Sequence, residues 1–253
     1  MRKPVFAANW KMNHGPSDAK EFMRNFLARH VRHSDRTVII FPPAAALSTV
    51  AEAIKGRSDI MVGVQNIFWE DKGAFTGETS APIARDAGAR IALVGHSERR
   101  HVFGETNEET AKKCAAAARA GLTPMLCVGE KIDQRERGET SSVCLRQLHA
   151  GISLIDPTHV AGMLVAYEPV WAIGSGRTAT PDDAAEVHSV LRDALRDVVG
   201  AKAADVPILY GGSANPGNAA SLLAASNVDG LLVGGASMEP DPWARICGVD
   251  LLV

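Results

Sequence analysis

The sequence predicts an α/β protein, one closed (β/α)8 barrel forming a single domain over residues 1–253. Three observations predict it. Short apolar runs of strand type recur eight times, stretches with helix-start and helix-stop signals separate them, and no compositional break or Pro/Ser-rich linker divides the chain. A barrel of this kind takes about 250 residues. An open, doubly wound sheet is the alternative for the same alternation.

The strand runs are Val5–Ala8, Val38–Phe41, Ile60–Val64, Ile91–Val94, Leu122–Val128, Met163–Tyr167, Val206–Tyr210 and Gly230–Val233. They are continuous rather than alternating, as suits parallel strands covered on both faces. Between the first two, Ser17 or Asp18 stands where an N-cap would precede a face of Phe22, Phe26 and Leu27. Asn107 to Ala120 is alanine-rich, and Gly121 occupies the place of a C-cap glycine. Thr180-Pro181-Asp182-Asp183 combines a cap, a proline at the first helical position and acids in the first turn. One connection breaks the pattern. The run Gln65–Ser80 holds Phe68, Trp69 and Phe75 with Gly73 and Gly77, and it has no helical period. Loops beyond about 12–15 residues are uncommon and usually functional. It reads as a protruding arm whose tip, Phe75-Thr76-Gly77, docks into another subunit.

Hydrophobic residues at 46% and charged residues at 22% exclude disorder for the bulk of the chain. Aromatics at 5% leave the core to be built from Ala, Val, Leu and Ile. A formal net charge of −2 provides no broad basic field for nucleic acid or an anionic membrane, so neither is an expected partner. Cys114, Cys127, Cys144 and Cys247 show no C-x-x-C spacing and read as free thiols of a reducing cytoplasm. Arg2 and Lys3 precede only four apolar residues, too few for a secretory signal, and no run approaches a membrane span. The expected location is cytoplasmic.

Chemistry in such a barrel sits at the C-terminal ends of the strands and in the loops after them. That rule selects Asn9 and Lys11 after the first strand, His96, Ser97 and Glu98 after the fourth, and Glu168 after the sixth. It also selects Gly211-Gly212-Ser213 after the seventh and Gly234-Gly235 after the eighth. Glycine pairs in these last two loops allow backbone N–H groups to approach a phosphate. Neither Gly-x-Gly-x-x-Gly nor Gly-x-x-x-x-Gly-Lys is present. Glu168 ends a buried strand, and burial would raise its pKa toward that of a useful base. Behind it, Pro169-Val170-Trp171 and Gly174-Ser175-Gly176 flank an apolar middle, the composition of a lid. His96 lies in Gly95-His96-Ser97-Glu98-Arg99, where Arg99 takes the last glycine position of a nucleophile elbow, and no His-Glu-x-x-His supports zinc, so no metal is expected. Lys11 reads either as a Schiff-base nucleophile or as a cation facing phosphate and developing negative charge.

These residues stand in motifs with a known likeness. Asn-Trp-Lys-Met-Asn at 9–13, Gly-His-Ser-Glu-Arg-Arg at 95–100, Tyr-Glu-Pro-Val-Trp-Ala-Ile-Gly at 167–174, Tyr-Gly-Gly-Ser at 210–213 and Val-Gly-Gly-Ala-Ser at 233–237 closely resemble the triosephosphate isomerase family. Val64-Gln65-Asn66 and Gly-Ala-Phe-Thr-Gly-Glu at 73–78 fit the same family, in register. The resemblance implies a TIM barrel that interconverts dihydroxyacetone phosphate and glyceraldehyde 3-phosphate in glycolysis and gluconeogenesis, without metal or organic cofactor. It carries over the roles established for that enzyme. Glu168 matches the base, His96 the neutral imidazole that polarises the carbonyl, and Lys11 the cation beside Asn9. Gly174, Ser213, Gly234 and Gly235 match the phosphate grip, with Tyr210 and Ser213 as latches of the closed lid near Ala179 and Gly176. The arm Gln65–Ser80 implies a homodimer.

Ser175, Arg177 and Ala214 stand where the family commonly has threonine, lysine and valine; the changes conserve chemistry. Glu98 matches a family acid near the site and is left outside the catalytic set. The residues by themselves do not choose isomerisation over aldol cleavage. An aldolase working through an imine on Lys11 and a catalytically silent binding barrel are the competing readings.

Overall fold

The computed structural model describes residues 3–173 and 179–250. Eight strands run parallel and close on themselves in chain order. They are β1 (Val5–Asn9), β2 (Thr37–Phe41), β3 (Ile60–Val64), β4 (Ile91–Val94), β5 (Thr123–Val128), β6 (Leu164–Tyr167), β7 (Ile208–Tyr210) and β8 (Gly230–Val233). Closure excludes the open, doubly wound sheet. At the seam, β8 pairs with β1 from Val5 against Gly230 to Ala8 against Val233. Gly230 is required there by close approach, since a Cβ on it would lie 2.1 Å from the carbonyl oxygen of Val5.

The continuous apolar runs have the expected cause: each strand is buried on both faces. Val5, Ala7, Ile39, Phe41, Leu93, Met125 and Leu209 fill the inside of the barrel. Phe6, Ala8, Val38, Ile40, Val94 and Val165 face outward beneath the helices. The small aliphatic core expected from composition is present, yet the few aromatics are concentrated in it. Trp10, Trp243, Tyr167, Tyr210, Phe6, Phe26 and Phe41 are among the largest fully buried side chains.

Several expected boundaries move. The first helix begins at Pro16 with Gly15 as its cap, and no side chain caps it. Proline brings a preset φ and no N–H to lose at the first helical position, so Ser17 and Asp18 fall inside the first turn. The seventh strand starts at Ile208 rather than Val206. The fifth and sixth start one residue later than the apolar runs, at Thr123 and Leu164. Elsewhere the expected signals at Gly121 and Thr180 are in place, and a cap at Thr106 adds to them. Thr106 and Glu109 form a reciprocal capping box before the helix Asn107–Arg119, and Gly121 follows it at φ +73°. Thr180 and Asp183 do the same for the helix Pro181–Val199.

The four cysteines are free and buried. Among the described residues, no helix is long and apolar enough to cross a membrane.

Two histidines are enclosed by the helical layer. His188 is fully buried, with Nδ1 2.9 Å from the carbonyl of Asn227 and Arg192 nearby. His30 stacks on Phe26, with Arg57, His33, Asp59 and Arg36 around it. Burial pulls the pKa of each down to about 4, and for His30 Arg57 adds to the effect. The unfolded chain takes up these protons near pH 6.5, and the folded chain does so only near pH 4. Stability is therefore fully present above pH 6.5 and declines as pH falls toward 4, by roughly 3 kcal/mol per histidine. Urea unfolding between pH 7 and 4.5 is expected to show this decline with uptake of up to two protons. A flat profile for the wild type, or an unchanged one for His188→Gln, would contradict it.

Candidate active site

The sequence-selected residues converge at the C-terminal mouth. Asn9 is the last residue of β1, and its Oδ1 accepts the backbone N–H of Lys11 at 3.0 Å. The Gln65 amide donates to the carbonyls of Lys11 and Phe41, both at 2.8 Å, which ties the start of the arm to the lysine loop. Lys11 extends its ammonium to Glu98, 2.7 Å away. Its stem passes Gly234, where an added Cβ would meet Lys11 Cε at 3.3 Å.

His96 caps the short helix Ser97–His101. Its Nδ1 accepts the Glu98 backbone N–H at 3.3 Å, so the ring proton belongs on Nε2. Nε2 lies 3.0 Å from Oε1 of Glu168. Glu168, only 2% exposed, also accepts the Ser97 N–H at 2.9 Å and the Ser97 hydroxyl at 3.0 Å. The expected buried carboxylate is there, and three donors face it. Ser97, not assigned a site role from the sequence, supplies two of them.

Two further acids were not legible from the motifs. Glu130, after β5, is completely buried and accepts from Tyr167 Oη at 3.1 Å and Trp171 Nε1 at 2.8 Å. Burial raises its pKa against the pull of those hydrogen bonds and of Arg135. The Arg135 guanidinium lies 4.5 Å over the Trp171 ring, so the entry to the proposed lid is held from two sides. Glu105 accepts the Gly95 N–H at 2.9 Å, Arg99 at 2.9 Å and Lys113 at 2.5 Å, while Lys113 also reaches Asn66 at 2.7 Å. Burial would raise the Glu105 pKa, but Lys113 and Arg99 outweigh it and bring it below the ordinary value. Gly95 sits at φ +70° with the Arg100 guanidinium against it, and Arg100 donates to the Gly95 carbonyl at 2.7 Å. The peptides on both sides of Gly95, just before His96, are thereby fixed. A lone acid in a polar loop carries no sequence signal of such partners.

On the glycine side, Gly234 and Gly235 open a 3-10 turn through Ser237, with free space above Gly235. The Ser213 hydroxyl donates to the carbonyl of Ala172 at 3.2 Å, a direct link to the lid's entry. Tyr210 Oη is buried and has no hydrogen-bond partner among the described residues. Ala179 is buried. Gly174, Ser175, Gly176 and Arg177 lie outside the described residues.

A parallel barrel whose mouth joins a buried carboxylate to an imidazole N–H, with an ammonium beside open glycine loops, belongs among the barrel enzymes equipped for acid–base chemistry on small anionic molecules. Comparison narrows the class. The family model described as Triosephosphate isomerase matches residues 4–249. The triosephosphate isomerase of Moorella thermoacetica is 44% identical over 250 residues, covering 99% of this chain and 100% of that one. That of Endomicrobium trichonymphae is 46% identical, covering 97% and 98% respectively. The crystal structure of triosephosphate isomerase from Bartonella henselae superimposes with a TM-score of 0.87 at 36% identity, covering 97% of this chain and 98% of its own. The chain belongs to the triosephosphate isomerase family and is an isomerase.

Glu105→Ala strands the Lys113 ammonium in a buried position, leaving it the Asn66 side-chain oxygen. It is expected to destabilise the fold by about 3–5 kcal/mol in urea unfolding. The double variant Glu105→Ala/Lys113→Met should recover part of that loss, and a double variant as unstable as the sum of the singles would refute the pairing.

Proposed function

We infer that this chain interconverts D-glyceraldehyde 3-phosphate and dihydroxyacetone phosphate by moving a proton between adjacent carbons through an enediol(ate). The observation that carries the reading is the Glu168–His96 pair, with Nε2 and Oε1 3.0 Å apart and Nδ1 tied to the Glu98 backbone N–H. Glu168 takes the proton from one carbon and returns it to the next. His96 Nε2–H donates to the substrate oxygen that gains negative charge, and the Lys11 ammonium balances that charge and the phosphate. Asn9 holds the Lys11 loop. Backbone N–H groups of Gly174, Gly234 and Gly235 with Ser213 receive the phosphate.

Glu168 must exchange its Ser97 and His96 donors for the substrate before it can act, and this frees the imidazole at the same moment. Lid closure then excludes water from the intermediate. Lys11 is engaged as a cation by Glu98, which supports the electrostatic role over the imine of an aldolase. Borohydride with substrate is accordingly expected to leave no adduct on Lys11.

The whole chain serves as one catalytic domain. It works as a homodimer through the Gln65–Ser80 arm, whose residues 71–78 are all exposed and whose Phe75 packs on Phe68 with 4.6 Å between ring centroids. Its buried, unpaired thiols and near-neutral charge suit the cytoplasm, with triose phosphates as partners rather than nucleic acid or membrane.

Glu168→Asp withdraws the carboxylate by one methylene, and a misplacement near 1 Å costs about 100-fold. A coupled assay with glyceraldehyde 3-phosphate should show kcat lowered at least about 100-fold with KM little changed, and near-normal turnover would remove Glu168 as the base. Phe75→Asp is expected to shift sedimentation from dimer toward monomer. A wild-type protein that sediments as a fully active monomer would sink the dimer.

A further inference from the structure

The ladder between β1 and β8 ends at Ala8 and Val233, and beyond it the Lys11 loop and the Gly234 turn must be held in register by other means. Two non-glycine residues of the first loop have left-handed backbone, Lys11 at φ 51° and His14 at φ 65°. Such conformations persist where the surroundings over-determine them, and they gather at ligand sites. Lys11 has the Asn9 and Gln65 bonds described above. His14 has a contact of its own: Nε2 lies 3.0 Å from the carbonyl of Met238, 224 positions along the chain. A carbonyl only accepts, so Nε2 carries the proton and donates. The ring is wedged edge-on against Trp10 at 4.9 Å and tilted against Phe22 at 5.5 Å. Histidine is among the few residues with a Cβ that are enriched in left-handed backbone.

Met238 closes the turn that carries the glycine pair. Its N–H donates to Gly235 at 3.1 Å and the Ser237 N–H to Gly234 at 2.8 Å, while the Ser237 hydroxyl reaches the carbonyls of Val233 at 2.9 Å and Gly234 at 2.7 Å. Residues 233–238 thus form one bonded unit. Lys11 touches its beginning, and His14 grips its end.

We propose that His14 is a positioning residue that clamps the Lys11 loop to the Gly234–Met238 turn, setting the spacing between the Lys11 ammonium and the glycine N–H groups that together receive the substrate phosphate. The proposal rests on the assignment of Lys11, Gly234 and Gly235 to that phosphate. His14 itself touches no substrate. It acts through the relative placement of the two loops that follow the paired strands β1 and β8.

The test measures inhibition by inorganic phosphate, with kcat and KM, in the full-length enzyme carrying His14→Ala, His14→Gly or His14→Gln. Alanine and glycine are expected to raise KM and the phosphate inhibition constant about 5- to 10-fold while kcat moves less than about threefold, the scale of one lost hydrogen bond. Glutamine restores an N–H donor where Nε2 stands and should return both constants to within about twofold. Glycine relieves the left-handed backbone, so its Tm should not fall below that of the alanine variant although its phosphate binding stays weak. Normal phosphate inhibition in the glycine variant, or a glutamine variant no better than alanine, overturns the clamp. Lys11→Met separates the two layers of the argument. Unchanged phosphate inhibition in that variant would overturn the phosphate assignment, whereas weakening there with none in any His14 variant would overturn the clamp alone.

Discussion

A carboxylate withdrawn from water at the end of β6 organises the barrel's mouth. Burying an ionised group without partners is prohibitive. Glu168 meets the demand with Ser97 N–H, Ser97 Oγ and His96 Nε2, all from the loop after β4. Yet β5 stands between β4 and β6 in the barrel. The acid therefore reaches across the end of β5, and the chain there has to stay out of the way. Gly129 does so, since a Cβ on it would fall 1.7 Å from the Glu168 carbonyl oxygen. The Gln147 amide holds Gly129 in that narrow place, accepting its N–H at 2.7 Å and donating to its carbonyl at 3.2 Å. Arg100 reaches from the β4 side to the Cys127 carbonyl at 3.1 Å. The last turn of β5 is thus arranged around a requirement set by its neighbour.

The same donors tie His96 and Glu168 to one another. While His96 Nε2–H serves Glu168, it is unavailable to a substrate oxygen, and Glu168 is unavailable to a carbon acid. Hydrogen bonds to a charged group contribute about 1.5–3 kcal/mol each. In the proposed reaction, substrate and lid have to replace several of them together, which couples chemistry to closure. The lid's entry is already fastened to the body through Trp171 on Glu130 and Ala172 on Ser213. Contacts of this kind can exchange during a conformational step.

Much of this was readable from the chain because the barrel's rules are local. Eight buried strands write eight continuous apolar runs, and the strand ends then point to Asn9, Lys11, His96, Glu168 and the glycine pairs. Thr180 announced its helix because a cap, a first-turn proline and first-turn acids fall within four residues. What escaped the sequence is what closes over long separations. Ser97 was selected by its place after β4, but its role appears only when β6 brings Glu168 to it, 71 positions away. Glu130 and Glu105 are ordinary loop acids until Tyr167, Trp171, Lys113 and Asn66 surround them. His14 gains its meaning only when the barrel closes and sets the first loop beside the last. Ser17 and Asp18 failed as caps for a local reason, because Pro16 already suits the first helical position.

The modest net charge of −2 is intelligible in the same terms. A barrel that holds a small phosphate needs cations at one point rather than over its surface, and here even that point is compensated. Lys11 and Glu98 are partly exposed and 2.7 Å apart, so the mouth presents a salt bridge rather than a bare ammonium. A monovalent anion of the solvent gains little by displacing Glu98, since exposed pairs exchange with water and salt at small net cost in either direction. In the proposed function a phosphate dianion differs because it meets the ammonium and the backbone N–H groups of the glycine loops at once. Its second charge and several oxygens engage donors that Glu98 cannot reach. Selectivity for the phosphorylated molecule then follows from the number of donors held in register. That register is a property of the barrel's seam, where the first strand meets the eighth.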